Sequence, residues 1–348
     1  MDRTLLVVTG AGRSGTSTLA GTLAQLGLHV PGPYKVANTA NPRGFYESTW
    51  VVRFNSRLLR SACVKMIDGR PEAAGIISDA ILPRHRERLA SWLAEVSEGH
   101  QVTVVKDPRT TWLVDLWAQA AVDVGLSPAF AMMLRHPAEV VGSRETHYYA
   151  TKSEGADREG FAVRNLAGWV NAVLVAERAT RGQRRCLVRY DDLLGHWRPT
   201  LAKAATHLGL PLETGGAAGR RVERFIEPDL SRHRRTWSDL EMDEHLRSVA
   251  ERAWKSADRL ADDPNNLEAQ TELDNAAAHY AHLYLTAERL AVDHTLARVA
   301  QVRRAAERGA QRRDASARWR SLPLRWLRSG GAKRRSVSKP PPTPAPGG

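Results

Sequence analysis

The chain has 348 residues, of which 42% are hydrophobic, with a formal net charge of +13 and two cysteines, Cys63 and Cys186. This length allows one core of catalytic size with residues left over, whereas two isolated cysteines exclude a disulfide framework and a cysteine-based zinc site and indicate a reducing compartment. Residues 303–348 hold 13 lysines and arginines against two acidic residues, so +11 of the charge lies in a C-terminal tail. No window approaches the roughly 20 apolar residues of a membrane span, and we expect a cytoplasmic chain.

The first predicted elements surround a glycine-rich turn in residues 5–26, LLVVTGAGRSGTSTLAGTLAQL. Residues 5–9 are a short β-rich apolar run, and residues 16–26 carry leucine and alanine at helical spacing. The three glycines between them allow a tight turn with close backbone approach. Successive amide groups at a helix N-terminus form an anion site.

This turn departs from the phosphate loop of NTPases, G-x-x-x-x-G-K-[ST]. Laid on GAGRSGTS, the template places Thr16 where the lysine should stand, and the basic residue is Arg13, three positions earlier. The turn therefore either holds an anion without that lysine or is a βα turn that binds nothing.

Glu47 ends the next motif, NPRGFYE, which closes a loop rich in proline, glycine and asparagine and precedes a helix predicted for residues 48–60. A carboxylate at this position has two possible roles. It can stabilise the helix N-terminus through the helix dipole, or it can act as a general base at the mouth of a site.

A second strand, residues 102–105, ends in the sequence Lys106-Asp107-Pro108-Arg109. Ligands of open α/β sheets bind beyond the carboxyl ends of the strands, so these charged residues are site candidates. The alternative is an Asp107–Arg109 pair that staples the loop, with Lys106 in solvent.

A third strand, residues 129–134, is followed by Arg135 and a helix that reaches about residue 150 and carries Ser143. A guanidinium fork and a hydroxyl can bind the same phosphate. The nearby His147 and Tyr148 are left out of the predicted site, because aromatic residues on a helix surface more often pack than react.

A long helix over residues 160–180 and a fourth strand, residues 186–189, lead to Tyr190 in the string RYDDLL. A further helix closes on HLGLP at residues 207–211. This alternation of strands and helices predicts an α/β fold.

The motifs together resemble the bacterial type of sulfotransferases, which use 3′-phosphoadenosine-5′-phosphosulfate (PAPS). The resemblance covers about residues 3–235 and implies a three-layer sandwich with a central parallel sheet, like that of P-loop NTPases. It implies PAPS as cosubstrate, adenosine 3′,5′-bisphosphate as product and no required metal. It also implies a donor site made of Gly12, Arg13, Ser14, Gly15, Thr16 and Ser17 for the 5′-phosphosulfate, Arg135 and Ser143 for the 3′-phosphate, and Tyr190 near the adenine.

The resemblance further implies that Lys106 and Arg13 stabilise the charge that develops during transfer. Cytosolic members of the family follow the lysine with Thr-His, whose histidine is the base, but here Asp107 and Pro108 follow it. The base role therefore passes to Glu47 first and Asp107 second. The family's adenine-stacking tryptophan is replaced by Thr18, and its R-K-G-x-x-G-D-W-K segment has no match, so adenine recognition and part of the 3′-phosphate clamp stay unassigned.

We expect a catalytic domain in residues 1–240, a helical extension in 241–313 and a basic, proline-rich tail in 314–348. The extension contains helices predicted for residues 243–260 and 267–313, and these either form a homodimer or pack back on the catalytic domain. Basic residues alternate with tryptophan and leucine at the start of the tail, where residues 318–335 could contact an anionic membrane surface, grip an acidic polymer or be disordered.

The predicted function is sulfuryl transfer from PAPS to a hydroxyl, or an amine, of a glycan, a glycolipid or a small molecule. Loops at residues 31–40 and 150–160 are expected to shape the acceptor pocket. One alternative is a P-loop small-molecule kinase, and another is a non-catalytic protein that binds a membrane or nucleic acid through the tail. Nucleic acid is not an expected partner of the enzyme.

Overall fold

The computed structural model describes residues 3–38, 41, 43–149, 157–226, 235–240 and 242–321, with side chains up to residue 311. Within these residues the chain forms a parallel four-stranded sheet in the order β2-β1-β3-β4. The strands are β1 (Thr4–Thr9), β2 (Val102–Lys106), β3 (Ser127–Leu134) and β4 (Arg184–Arg189). Helices cover both faces, so the prediction of a three-layer α/β fold is confirmed.

The described residues contain thirteen α-helices, and most of the crossovers run through them. In chain order they are α1 (Thr16–Gln25), α2 (Thr49–Ser61), α3 (Ala73–Ala80), α4 (Pro83–Val96), α5 (Val114–Asp123), α6 (Pro137–Arg144), α7 (Arg158–Thr180), α8 (Tyr190–Gly195), α9 (Trp197–Leu208), α10 (Gly216–Phe225), α11 (Glu244–Asp262), α12 (Leu267–Leu290) and α13 (Val292–Ser321). A 3-10 helix, Pro108–Trp112, follows β2, and a π-helical turn, Glu145–Tyr149, follows α6.

The strands are buried on both faces, as expected for a parallel sheet between two helical layers. Successive side chains of β1 point to opposite faces. Leu5 and Val7 join a core with residues of α2, α4, α5, α7 and α11, whereas Leu6 and Val8 join a second core with residues of α1, α9 and α10.

The register places the carboxyl ends of the strands at one edge of the sheet. Val8 pairs with Lys106 across β1 and β2, and Leu134 pairs with Arg189 across β3 and β4. The glycine-rich turn after β1 therefore lies between the residues that follow β2 and those that follow β3 and β4.

The compact unit that contains the sheet runs to Thr286 and includes α11 and most of α12, which belong to the helical extension predicted for residues 241–313. The structure shows why α11 belongs with the sheet. Arg189 of β4 donates to Asp258 at 2.5 Å and to Asp262 at 2.7 Å, and the Arg185 guanidinium donates to the Pro264 carbonyl at 2.7 Å.

A second unit, from Ala287 on, contains α13. The single helix predicted for residues 267–313 is divided into α12 and α13 at Ala291. In the part of the chain that the structure describes, no helix is long and apolar enough to cross a membrane. The membrane contact predicted for residues 318–335 lies outside the described side chains.

The two cysteines differ in accessibility, which gives a direct check of the fold. Cys186 of β4 is buried and Cys63 is exposed, and burial raises the pKa of the Cys186 thiol to about 12. Only thiolates react rapidly with thiol reagents. We expect a disulfide-exchange reagent at pH 8 to modify one thiol per native chain, identified as Cys63 by mass spectrometry, and two in urea. Rapid modification of Cys186 in the native protein would contradict this packing.

Candidate active site

The turn after β1 has the backbone of a glycine-dependent anion loop. Gly10 and Gly15 have positive φ angles of 131° and 94°, and Arg13 also has a positive φ, of 80°. A Cβ at Gly10 would lie 2.7 Å from the Met133 carbonyl oxygen, and one at Gly15 would lie 2.2 Å from the Tyr190 ring. The turn is therefore packed directly against β3 and against the residue that follows β4.

Gly15→Ala should disrupt this site beyond the cost of its backbone angle. Gly27 provides a matched control, because it has the same φ of 94° and nothing lies within 4 Å of an added Cβ. We expect Gly27→Ala to cost only the strain of a positive φ, about 1–2 kcal/mol, and to bind anions normally. Gly15→Ala must also displace Tyr190, so anion binding, followed by calorimetry, should be lost. Equal behaviour of the two variants would contradict the packing of Tyr190 on the turn.

Lys106 and Glu47 form a buried ion pair at the end of β2. The Lys106 ammonium donates to Glu47 Oε1 at 2.6 Å and to Ser17 Oγ at 2.9 Å, and the two charged side chains are 2% and 5% exposed. Burial lowers the pKa of Lys106, and the Glu47 carboxylate opposes that shift. Glu47 thus precedes α2, as predicted, and is also held in place by Lys106, which is 59 residues away in sequence.

Asp107, the second candidate base, is turned away from this pair. Its carboxylate accepts from Asn55 Nδ2 at 3.1 Å, and from the backbone and side chain of Arg109 at 3.0 and 2.9 Å. Burial raises the pKa of Asp107, and Arg109 opposes the shift. The Asp107–Arg109 staple considered for this loop is present. The same alternative placed Lys106 in solvent, but Lys106 is buried and only 3% exposed.

The residues after β3 and β4 form the other end of the site. Arg135 donates to Glu139 Oε2 at 2.8 Å and lies 4.5 Å from the centre of the Tyr190 ring. Arg13 Nε donates to Ser143 Oγ at 3.0 Å, so the turn is joined to α6. These contacts bring together four residues that the sequence analysis assigned to the donor site.

At this end of the site, the buried Nη2 atom of Arg135 has no hydrogen-bond partner. An unpaired buried donor costs about 1–3 kcal/mol, and a bound anion would satisfy such groups. The arrangement fits a phosphate-bearing ligand.

A cavity of about 410 Å³ extends along this edge of the sheet. Six of its lining residues are lysine or arginine, and Glu47 is its only lining carboxylate among the residues described. Ten of the predicted site residues line it: Gly12, Arg13, Gly15, Thr16, Ser17, Glu47, Lys106, Arg135, Ser143 and Tyr190. Ser14 is buried within the turn and Asp107 accepts from Asn55, and neither residue lines the cavity.

The structure adds lining residues that the sequence analysis did not assign to the site. Lys35, Arg144, His147 and Tyr148 all line the cavity. His147 and Tyr148 were set aside as packing residues, but they lie on the π-helical turn, a distortion that occurs frequently at functional sites. Lys35 falls in the loop predicted to shape the acceptor pocket, whereas residues 150–156 of the other such loop lie outside the described residues.

The fold and the site together define an α/β protein with a cationic cavity at the carboxyl ends of its strands. The chain belongs to the sulfotransferase family, because the family profile described as "Sulfotransferase family" matches residues 6–214. The family resemblance inferred from the motifs is therefore confirmed.

The solved structures that are similar to this chain include two sulfotransferase domains. The first, "Sulfotransferase Domain from the Curacin Biosynthetic Pathway", has a TM-score of 0.42 and 13% identity and covers 74% of this chain and 98% of its own. The second, "Sulfotransferase Domain from the Synechococcus PCC 7002 Olefin Synthase", has a TM-score of 0.39 and 16% identity and covers 80% of this chain and 94% of its own. No curated protein matches the sequence.

Proposed function

We propose that this protein transfers a sulfuryl group from PAPS to a hydroxyl, or an amine, of a glycan, glycolipid or small-molecule acceptor. One observation carries the proposal: the buried Lys106–Glu47 pair opens into the same cationic cavity as the Arg13 turn and Arg135. A poised carboxylate beside an anion site is what proton removal coupled to transfer of an anionic group requires.

The donor would lie across the cavity with its adenosine end near Tyr190. Arg135 and Ser143 would hold the 3′-phosphate, and the amides and hydroxyls of residues 12–17 would hold the 5′-phosphosulfate. PAPS supplies the activated sulfuryl group, and the chain supplies position and charge. Because the unpaired Arg135 Nη2 is already buried at this end, a phosphate there gains a donor that no described protein atom uses.

The reaction is an in-line displacement at sulfur. Glu47 removes the proton of the acceptor hydroxyl as its oxygen bonds to sulfur, and the bond from sulfur to the bridging phosphate oxygen breaks. Adenosine 3′,5′-bisphosphate leaves with the bonding electrons. Lys106 and Arg13 stabilise the negative charge on the sulfuryl and bridging oxygens, which is how preorganised donors lower such barriers.

Three further predictions, on location, assembly and membrane contact, stay predictions. They are a cytoplasmic location, a homodimer through the C-terminal helices and a membrane contact through residues 318–335. Membrane contact would favour a lipid-linked acceptor.

Transfer of radioactive sulfur from labelled PAPS tests the proposal. The full-length protein is incubated with the donor and with separate pools of glycans, glycolipids and hydroxyl-bearing metabolites. We expect label in a new species, with one bisphosphate formed for each sulfuryl group transferred. These reactions are run without magnesium. The proposal would be contradicted if no pool yields a labelled product and bisphosphate is released only at the rate of the uncatalysed hydrolysis of PAPS.

A further inference from the structure

Arg144, the last residue of α6, has an unused hydrogen-bond donor in the cavity. Its Nε donates to Asn165 Oδ1 of α7, and its guanidinium carbon lies 4.9 Å from the centre of the Tyr148 ring. Its Nη1 is buried and has no hydrogen-bond partner. Among the residues that the structure describes, no carboxylate pairs with it.

Three other cations of the cavity form close ion pairs with carboxylates, whereas Arg144 does not. Lys106, Arg109 and Arg135 pair with Glu47, Asp107 and Glu139, respectively. Arg144 is held by a neutral amide, and Asn165 Nδ2 donates to the Phe161 carbonyl at 2.6 Å, which fixes the amide oxygen toward the arginine. Burial lowers the pKa of Arg144 to about 10, so it stays cationic at neutral pH. The guanidinium is thus positioned without being neutralised.

Arg144 Nη1 lies beside the glycine-rich turn, at a point that the Met66 side chain also approaches. A Cβ built at Gly12 would be 3.7 Å from Arg144 Nη1 and 3.2 Å from Met66 Cε. Met66 belongs to the segment between α2 and α3, and Glu47 immediately precedes α2. Lys35, 3.9 Å from Glu47 Oε2, is a further cation of the cavity. Of the predicted donor-binding residues, Arg135 and Tyr190 directly follow β3 and β4, whereas Arg144 lies at the far end of α6.

We propose, on the basis of the proposed function, that Arg144 binds an oxyanion of the acceptor, so that the acceptor carries a carboxylate, phosphate or sulfate besides its reacting hydroxyl. The planar guanidinium suits such a group, because it can donate two parallel hydrogen bonds to it. The Tyr148 ring and Met66 provide apolar surface for the part of the acceptor between its two polar ends.

Two probes that differ only in charge test this assignment on the full chain saturated with adenosine 3′,5′-bisphosphate. The probes are 4-hydroxyphenylacetate and its amide, 4-hydroxyphenylacetamide, titrated by calorimetry. We expect the acid to bind about 10- to 100-fold more tightly, as expected for a hydrogen bond to a charged group. Arg144→Gln should bring the acid to the affinity of the amide and leave the amide and the bisphosphate unchanged. Arg178→Gln, at an exposed α7 residue paired with Asp274, should keep the preference.

Each other outcome has a definite meaning. Equal affinity for the two probes, or binding of neither to the bisphosphate complex, overturns the assignment. A loss of bisphosphate affinity in folded Arg144→Gln, checked by circular dichroism, makes Arg144 a donor ligand and also overturns it. Failure of the wild type to bind the bisphosphate contradicts the proposed function instead.

Discussion

Glu47→Gln should lower the rate of sulfuryl transfer by about 10²–10⁴-fold, the usual contribution of a positioned general base. Glutamine keeps the volume of the side chain and an oxygen that can accept from Lys106, which is 2.6 Å from Glu47 Oε1 in the wild type. It cannot take a proton from the acceptor. Bisphosphate affinity should stay near that of the wild type, because Arg135 and Ser143 lie at the other end of the cavity. Single-turnover rates with labelled PAPS measure the loss.

Asp107→Asn separates the two candidate bases. Its carboxylate accepts from Asn55 and Arg109 and does not line the cavity, so this variant should lose stability rather than the proton-transfer step. Its rate, measured below its melting temperature, should exceed that of Glu47→Gln by orders of magnitude. The reverse order of rates would assign the base role to Asp107.

Glu177→Ala should be the most destabilising of the single substitutions considered, at about 3–5 kcal/mol. Glu177 of α7 is fully buried and pairs with Arg185 at 3.0 Å and with Arg181 at 2.6 Å. Its removal leaves Arg185, which is only 4% exposed, as a buried charge without its carboxylate. Urea unfolding followed by circular dichroism measures the change in the free energy of unfolding.

Glu251→Ala is the matched control for that prediction. Glu251 of α11 also pairs with a cation four residues later, Lys255 at 2.8 Å, but these side chains are 36% and 70% exposed. Exposed pairs of this spacing contribute about 0.3–0.5 kcal/mol. Equal losses of stability in the two variants would show that burial does not make the Glu177 ion pairs more stabilising than an exposed pair.

Local patterns in the sequence predict the central elements well, because each depends on residues close together in the chain. The apolar runs of the four strands and the helical spacing of α1, α2 and α7 place those elements within about two residues of their observed bounds. The glycines of the turn and the residues that end each strand identify one edge of the sheet. Since parallel strands share that edge, most of the predicted site residues line one cavity.

Contacts between distant segments explain what the sequence did not predict. The periodicity of the sequence does not reveal that Glu47 pairs with Lys106 or that Asn165 holds Arg144. These contacts depend on where the loop before α2 and the end of α6 lie relative to the glycine-rich turn. The acidic residues of α11 that bind Arg189 are recognisable as partners only once β4 lies at the sheet edge.

Calorimetric binding of adenosine 3′,5′-bisphosphate, compared with ATP in the presence and absence of magnesium, tests the donor site most directly. Arg135→Ala serves as the site variant, with its fold checked by circular dichroism. We predict magnesium-independent binding of the bisphosphate, weakened about 10- to 100-fold or more in Arg135→Ala by the loss of charged hydrogen bonds. Preference for ATP with magnesium, or bisphosphate binding that is indifferent to Arg135, would contradict a PAPS site in this cavity.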